Sequence, residues 1–396
     1  MFETLRPQPD DQILMLMGRF RDDPRSDKID LGVGVFRDSL GRTPVMRAVK
    51  AAERRLWDTQ QTKGYTQLIG DPVFIDAMRE LVLGEAVDVG RIAGAATVGG
   101  TGAIRQGLEL IRLARPGVRV HIPDPSWPNH QSILGAMGID WQPYRYFDAA
   151  ANALDLAGML SDLRRVAPGD VVLLHGCCHN PTGVDPTAAE WRDILAALEQ
   201  SGATVLVDLA YQGFGDGLDE DAAATGLLAQ TLCEVVIAVS CSKNFGLYRD
   251  RAGAVLVVGA SARDRDVIKG NLAALNRQAY SFPADHGASV AAMVLNDADL
   301  RADWTAELAD MRSRVNLLRR DLAAALQQES QSDRYSFLAV QRGMFSRLGV
   351  TPDQVSALQR DHAVYMVGDG RMNVAGLAQA DIPRLARAII AVCGVG

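Results

Sequence analysis

Four short runs of apolar, largely β-branched residues constrain most strongly what this chain can fold into. Each run has about the length of one strand, and we predict strands at Val171–His175, Thr204–Asp208, Val235–Val239 and Ala254–Val258. Continuous apolar runs are typical of strands that are buried on both faces. A helix is predicted at 188–200, between the first two runs. This alternation indicates an α/β fold with a largely parallel, doubly wound sheet, whose ligands bind at the carboxyl ends of the strands.

A lysine lies just beyond the third run, in a turn rich in hydroxyl groups. Lys243 follows Ser240 and Ser242, and Arg251 closes the segment SCSKNFGLYRDR. An amine next to such donors suits a cofactor that carries an aldehyde and a phosphate. Lys243 can condense with the carbonyl, and the two serines and Arg251 can bind the phosphate. Taken alone, the motif leaves an ordinary solvated basic turn open as the alternative.

Asp208 interrupts an otherwise apolar strand. A buried carboxylate without a partner costs free energy, so we expect Asp208 to face a cation. A protonated pyridine nitrogen would serve, because the carboxylate would hold the ring in the form that accepts electrons. Tyr211 follows at the carboxyl end of the same strand, where ligands of open α/β sheets bind.

Five motifs follow one another along the chain: GGTGA, PSWPNH, HGCCHNPTG, DxAYQGF and SxSKNFGLYxxR, where x is any residue. With these motifs the chain resembles the pyridoxal-phosphate aminotransferases of fold type I, in the class I subgroup of aspartate and aromatic-amino-acid aminotransferases. Within that subgroup it is most similar to the bacterial aromatic enzymes. The resemblance extends over essentially the whole chain, from DQILMLMGRF to GRMNVAGL.

The resemblance implies an α/β fold of type I with two domains. A mostly parallel seven-stranded sheet between helices is expected in the large domain, and the smaller domain is expected to be α+β. The expected division is an N-terminal arm at 1–10, a small domain formed by 11–44 and 311–396, and a large cofactor-binding domain at 45–310. A homodimer with shared active sites is also implied.

Pyridoxal 5'-phosphate is the cofactor that the resemblance implies. Lys243 is expected to be the Schiff-base lysine and the base for proton transfer, and Asp208 to bind the ring nitrogen. Tyr211 and Asn180 are expected to bond to the phenolic oxygen, and Trp127 to lie against the ring. The expected phosphate ligands are Gly100, Thr101, Gly102, Ser240, Ser242 and Arg251, with Tyr65 from the partner subunit. Two histidines, His130 and His175, are expected in the shell behind these residues.

The substrate residues are likewise implied by the resemblance. Arg371 is expected to bind the α-carboxylate, although its glycine-flanked turn between two short strands would by itself indicate a surface arginine. Arg277 is expected to bind a distal carboxylate in the neighbouring subunit's site. Gly34, Trp127 and Asn180 complete the expected substrate site, and an aromatic ring would be covered by Leu14, Val33 and Phe345.

The implied reaction is ping-pong transamination of phenylalanine, tyrosine and tryptophan, and of aspartate and glutamate, with 2-oxoglutarate. An aspartate aminotransferase with little aromatic activity is the alternative. A lyase or decarboxylase that uses the same cofactor, or a cofactor-sensing regulator, is more remote. Arg277 favours transamination, because a dicarboxylic partner needs a second cation, and a regulator would need a basic DNA-binding module for which no residues remain.

Composition narrows the range of partners and compartments. The net charge is −7 and no block of lysine or arginine stands out, so we expect neither nucleic acid nor an anionic membrane as a partner. No apolar run has spanning length, and the first residues contain no apolar signal core, which predicts a cytoplasmic protein. Five cysteines, an odd number, do not indicate a disulfide framework.

The segment HGCCHN raises the question of a metal site. If it were extended, His175 and His179 would lie about 13 Å apart at about 3.3 Å per residue, and Cys177 and Cys178 would face opposite ways. These four side chains could then not close on one ion, so no metal is predicted.

Overall fold

The computed structural model describes residues 1–7, 11–85 and 87–394. Its helices are α1 (Gln12–Asp22), α2 (Arg47–Thr59), α3 (Pro72–Leu83), α4 (Gly99–Ala114), α5 (Pro128–Met137), α6 (Leu156–Leu163), α7 (Ala188–Ser201), α8 (Leu218–Thr231), α9 (Ala262–Ala279), α10 (His286–Asn296), α11 (Ala298–Ser330), α12 (Pro352–His362) and α13 (Ile382–Cys393). Its strands are β1 (Ile29–Asp30), β2 (Ile92–Val98), β3 (Val120–Asp124), β4 (Trp141–Arg145), β5 (Phe147–Asp148), β6 (Ala153–Leu154), β7 (Val171–His175), β8 (Thr204–Leu209), β9 (Val235–Ser240), β10 (Ala252–Val258), β11 (Phe345–Arg347), β12 (Val364–Tyr365) and β13 (Arg371–Asn373).

A seven-stranded sheet forms the centre of the molecule, in the order β2-β10-β9-β8-β7-β3-β4. Every neighbouring pair is parallel except the two that involve β10. The four predicted apolar strands are β7, β8, β9 and β10, and nearly all of their residues are buried. The carboxyl ends of β8 and β9 therefore lie side by side, which brings their loops to one edge of the sheet.

β10 runs against its two neighbours because no helix precedes it. The connection from Ser240 to Ala252 contains only turns, so the chain folds back next to β9, whereas a parallel strand would need a longer crossover. This connection is the segment that carries Lys243. The turn that carries Lys243 is consequently held at both ends by two central strands, β9 and β10, which pair with each other.

The long helix α11 joins two hydrophobic clusters. Its buried side chains from Leu300 to Val315 belong to the cluster around the central sheet. Those from Leu318 to Leu326 pack with β12, β13 and the closing helix α13 in a second cluster. The predicted domain boundary at residue 311 stays a prediction, as do the other boundaries, and residues 8–10 of the predicted arm lie outside the described ranges.

One expectation for the smaller cluster was wrong in detail, and it concerns Arg371. The first strand of this part, β1, ends at Asp30, and Gly32 packs closely against α1 two residues later. A Cβ on Gly32 would lie 2.2 Å from Cδ2 of Leu16. Arg371 was expected in a turn, but it begins β13 and pairs with Arg347 of β11.

None of the helices within the described ranges combines the length and the hydropathy that a bilayer-spanning helix requires.

Trp304 is expected to stabilise the turn that carries Lys243. Its side chain is 0% exposed and stacks on Phe245 with 4.6 Å between ring centroids, while its Nε1 donates to the carbonyl oxygen of Asn244 at 2.7 Å. We expect Trp304→Ala to lower the free energy of unfolding by about 3–5 kcal/mol, measured by chemical denaturation. Trp304→Phe keeps one stacked ring but loses the donor and the second ring of the indole, so it should cost less, about 1–3 kcal/mol. Equal losses in both variants would contradict the stacking argument.

Candidate active site

A cavity of about 300 Å³ opens at the carboxyl ends of β8 and β9 and the amino end of α4. It is lined by Ile13, Gly34, Gly100, Thr101, Trp127, Asn180, Asp208, Ala210, Tyr211, Ser240, Ser242, Lys243, Tyr248, Arg251, Phe345 and Arg371. Most of the residues that were predicted as cofactor or substrate ligands are in this set. The structure therefore brings together side chains that are far apart in the sequence.

Lys243 lies in the turn after β9 and reaches the cavity. Its Nζ is 4.6 Å from the centroid of the Tyr211 ring. Burial lowers the pKa of Lys243, and the charge of Arg251 acts in the same direction, whereas Asp208 opposes them. A lowered pKa increases the fraction of neutral amine, which is the form that can accept a proton or attack a carbonyl.

Asp208 is the buried acid at the end of β8. Its Oδ2 lies 3.1 Å from Nε2 of His130, whose Nδ1 lies 2.8 Å from Oγ of Ser126. Burial by itself would raise the pKa of Asp208, but the hydrogen bond and charge of His130, together with Lys243, hold it below its usual value. The carboxyl group is therefore ionised at neutral pH. His175 is the strand neighbour of Asp208, and burial lowers the pKa of His175 to about 3.

One end of the cavity lies where α4 begins. Gly100 and Thr101 in the first turn of this helix line the cavity together with Ser240, Ser242 and Arg251, and amides in a first helical turn have no partner within the helix and suit an anion. Arg251 donates from Nη1 to Oγ of Ser242 at 3.3 Å. The glycines are needed for close approach, because a Cβ on Gly100 would lie 2.8 Å from Cβ of Ser240 and a Cβ on Gly99 would lie 2.5 Å from Nη2 of Arg251.

Arg371 supplies a second cation on the opposite wall. It is only 5% exposed, and its Nε has no hydrogen-bond partner among the described residues. The guanidinium carbon lies 4.8 Å from the centroid of the Phe345 ring, and Nη2 donates to the carbonyl oxygen of Gly32 at 3.4 Å. Burial lowers the pKa of Arg371 without removing its charge at neutral pH. A buried guanidinium with an unused donor is a site for a carboxylate.

The side chains of Asn180 and Tyr211 add two further polar groups to the lining of the cavity. Nδ2 of Asn180 donates to the hydroxyl of Tyr211 at 3.5 Å, and Oδ1 of Asn180 has no partner among the described residues. Burial raises the pKa of Tyr211, as does Asp208, so its hydroxyl stays protonated and can donate. The rings of Trp127 and His130 are nearly perpendicular, with 5.2 Å between their centroids, and Trp127 lines the cavity.

Some predicted residues do not line this cavity. Tyr65 is 86% exposed and stacks on Phe282, and Arg277 is exposed and donates to Oγ of Ser281 at 2.5 Å. Gly102 lies one residue further into α4 than the lining residues. Val33 and Leu14, which is 66% exposed, do not contribute to the wall, whereas Phe345 does.

The segment HGCCHN is not extended, so the distance argument against a metal was wrong. The rings of His175 and His179 have centroids 4.3 Å apart. The chain turns at Cys178, whose φ is 52°, and the Asp185 carboxylate accepts from the amides of Cys178 and His179 at 2.6 and 2.8 Å. This turn could not be read from the spacing, because it depends on a carboxylate further along the chain.

The turn also brings a possible ligand group together. The sulfur atoms of Cys177 and Cys178 and a carboxylate oxygen of Asp221 lie within 4.8 Å of one another. The oxygens of Asp221 already accept from the amides of Gly213, Gly215 and Asp216. Hydrogen bonding to Cys178 and burial raise the pKa of Cys177, so its thiol stays protonated at neutral pH. The absence of a metal stays a prediction.

Three cavity residues were missed by the sequence analysis: Ile13, Ala210 and Tyr248. Tyr248 belongs to the Lys243 motif, and its hydroxyl accepts from the amide of Phe36 at 3.2 Å. Because Tyr248 lies between Lys243 and Arg251 in that motif, the sequence could have identified it as a candidate site residue. Ile13 lies on α1, and nothing in the local pattern separates it from its apolar neighbours.

The family model for aminotransferases of class I and II matches residues 26–389 of the chain. The chain belongs to this family. The expected family and enzyme class are therefore confirmed.

Individual relatives agree with this result. An aromatic-amino-acid aminotransferase of Paracoccus denitrificans is 55% identical over 392 residues, which cover 99% of this chain and 100% of that protein. An aspartate aminotransferase of Haemophilus influenzae is 41% identical over 395 residues, with 99% and 100% covered. Among solved structures, an aromatic-amino-acid aminotransferase from Burkholderia pseudomallei covalently bound to pyridoxal phosphate is 36% identical, with a TM-score of 0.97 and 99% of each chain covered. The predicted fold of type I is confirmed.

The close approach at Gly100 predicts a sensitive position for cofactor binding. Gly100→Ala would place a methyl group 2.8 Å from Cβ of Ser240 and displace the anion-binding amides of this aminotransferase. Overpacking typically costs about 1–3 kcal/mol, so we expect the dissociation constant of pyridoxal phosphate to rise about tenfold, measured by absorbance titration. Gly135→Ala is the control, because a Cβ there meets no atom within 4 Å. An unchanged affinity in Gly100→Ala would contradict the geometry.

Proposed function

We propose that this aminotransferase transfers amino groups from phenylalanine, tyrosine and tryptophan to 2-oxoglutarate, and that it also accepts aspartate and glutamate. Pyridoxal 5'-phosphate is its cofactor. The observation that carries the proposal is the cavity itself, which places the amine of Lys243, an anion-binding helix end and the buried cation Arg371 within one space of about 300 Å³.

The residues present fit the cofactor. The amides at the start of α4, with Ser240, Ser242 and Arg251, offer several donors and one positive charge for a phosphate, and a single Cβ at Gly100 would collide with Ser240 there. Asp208 is an ionised acid whose open side faces the cavity, which suits a protonated ring nitrogen. When bound, pyridoxal phosphate supplies an electron-withdrawing ring that stabilises negative charge at the substrate's Cα.

Different side chains of the protein then bind the substrate and transfer the proton. Arg371 binds the α-carboxylate of the amino acid and fixes the orientation of its Cα. The Nζ of Lys243 would accept the proton from Cα of the amino acid and would later donate it as an acid. Its lowered pKa keeps part of the amine neutral, which is the form that can accept the proton. Asn180 and the hydroxyl of Tyr211 offer hydrogen bonds at the same face of the cavity.

The preference for aromatic substrates is supported by the 55% identity to an enzyme named for aromatic amino acids and by the apolar wall of Phe345 and Ile13. Burying a phenyl group against such a wall contributes about 1.5–3 kcal/mol. An aspartate aminotransferase with little aromatic activity is the second candidate, which the 41% identity to an enzyme of that name favours. Rates with phenylalanine, tyrosine, tryptophan, aspartate and glutamate decide between the two.

We further propose that the protein is a cytoplasmic homodimer with shared active sites. Tyr65 and Arg277 are exposed and lie outside the cavity of their own chain. In the proposed dimer Tyr65 reaches the phosphate of the partner's cofactor and Arg277 binds the distal carboxylate of the partner's substrate. An exposed tyrosine stacked flat on Phe282 is a surface that a second chain can cover.

Lys243 is expected to be essential for turnover. Lys243→Ala removes both the covalent attachment of the cofactor and the proton-transfer base, so kcat should fall by about 10²–10⁴-fold or more. Borohydride reduction followed by peptide mass analysis should fix the cofactor to Lys243 in the unchanged enzyme and to no residue in the variant. Lys269→Ala, an exposed lysine on α9, is the control. Rapid turnover by Lys243→Ala would contradict the assignment of Lys243 as the residue that attaches the cofactor and transfers the proton.

Arg277 is expected to matter for acidic substrates only. Loss of a desolvated ion pair costs about 2–5 kcal/mol, so Arg277→Leu should reduce kcat/KM for aspartate and glutamate by a factor of about 30 to several thousand. The value for phenylalanine should change about tenfold or less. Arg263→Leu, an exposed arginine at the other end of the same helix, serves as control. If both substrate classes fall equally, the role of Arg277 is structural.

A further inference from the structure

A buried polar cluster lies beneath the surface that carries Tyr65 and Arg277. Its centre is Asn276, which is 0% exposed, near the end of α9. Its Nδ2 donates to the carbonyl oxygens of Leu68 and Ala96, at 2.8 and 3.2 Å. Its Oδ1 accepts from the side-chain amide of Gln106 and from the hydroxyl of Tyr280, the latter at 2.7 Å. Asn276 thus makes the four hydrogen bonds that an amide side chain can make.

These bonds join four separate parts of the fold. Gln106 belongs to α4, the helix whose first turn lines the cavity, and Ala96 belongs to β2. Leu68 belongs to the loop that carries Tyr65, and Tyr280 follows α9 directly. Burial raises the pKa of Tyr280 to about 12, so its hydroxyl remains a donor at neutral pH. A side chain with all its bonds satisfied inside the protein has one orientation, which fixes the parts it joins.

The two exposed segments also contact each other directly. The ring of Tyr65 stacks on Phe282 at 4.6 Å between centroids, with 15° between the planes. A Cβ on Gly70 would lie 2.5 Å from Cβ of Ala96 and 3.2 Å from Cγ of Pro283. The loop before α3 and the segment after α9 therefore pack against each other and form one surface.

We propose that Asn276 is a positioning residue, which sets Tyr65 and Arg277 at a fixed separation for the active site of a second copy of this chain. The inference rests on the proposed function, in which these two residues serve the partner's phosphate and the partner's distal carboxylate. Arg277 is next to Asn276 in the helix, and Tyr65 is three residues from the carbonyl group that Asn276 holds. In this proposal one side-chain amide therefore positions two residues that serve the partner subunit, one at its phosphate and the other at its distal carboxylate.

The test compares two asparagine substitutions on one helix in the holoenzyme. Asn276→Leu removes the four bonds, whereas Asn271→Leu removes only a local bond from an exposed side chain to the carbonyl oxygen of Val267. We expect Asn276→Leu to lower kcat/KM for 2-oxoglutarate about tenfold and to raise the dissociation constant of pyridoxal phosphate, because small misplacements of binding groups cost up to about 10²-fold. At saturating cofactor, phenylalanine should change by about threefold or less. Asn271→Leu should resemble the unchanged enzyme.

A double-mutant cycle separates positioning from general destabilisation. If Asn276 acts through Arg277, the double variant should be no worse than Arg277→Leu alone, so Arg277→Leu should cost about tenfold less in the Asn276→Leu background than in the unchanged enzyme, measured as kcat/KM for 2-oxoglutarate. Additive losses, or equal losses for phenylalanine and 2-oxoglutarate, would overturn the positioning role. If Asn276→Leu does not fold, Tyr280→Phe removes a single bond and should show the same substrate pattern at smaller size.

These measurements distinguish an error in the proposed role of Arg277 from an error in the positioning role of Asn276. If Arg277→Leu alone leaves acidic substrates unaffected, the proposed role of Arg277 is wrong, and this inference fails with it. If Arg277→Leu has its expected effect while Asn276→Leu and Tyr280→Phe have none, only the positioning role of Asn276 is refuted.

Discussion

The carboxylate of Asp208 is the constraint on which the rest of the site depends. It ends a central parallel strand that is covered on both faces, where an isolated charge is strongly disfavoured. His130 offsets that cost through its hydrogen bond to Oδ2, and Ser126 fixes the opposite ring nitrogen. The neighbouring imidazole of His175 stays neutral, because burial lowers its pKa to about 3. The acid is thus ionised and lines the cavity, where our proposal places the protonated ring nitrogen of the cofactor.

The wall formed by Phe345 and Arg371 depends on a second buried charge, which does not itself line the cavity. Arg319 of α11 is fully buried, and its guanidinium donates to the carbonyl oxygens of Gly343 and Phe345 at 2.7 and 2.6 Å and to Oγ of Ser346 at 2.6 Å. Burial lowers the pKa of Arg319 to about 10, so it remains charged at neutral pH. These bonds fix the main chain at Phe345, whose ring supports Arg371. The long helix therefore fixes the loop whose Phe345 contacts Arg371, the residue that we propose binds the α-carboxylate.

The sequence allowed prediction wherever a property is local. The four central strands follow from their apolar runs, and Asp208 was identified because a charge in such a run needs a partner. The sharp turn at Cys178 was not predicted, since it depends on amides held by Asp185, and Ile13 was not singled out, since α1 meets the cavity only through tertiary packing. The direction of β10 could be inferred only from the lack of a helix before it. Tertiary contacts decided the turn at Cys178 and the position of Ile13.

Irregular loops around the site are held by polar side chains that bond to main-chain groups. Asp221 accepts from three amides of the loop after Tyr211, Asp185 accepts from two amides of the turn at Cys178, and Arg319 and Asn276 donate to carbonyl oxygens. Loops lack the repeating hydrogen bonds of helices and strands, so a buried loop needs partners of this kind. Each such side chain fixes the main chain of its loop through hydrogen bonds. Binding groups on these loops can then keep the fixed separations that a small substrate requires.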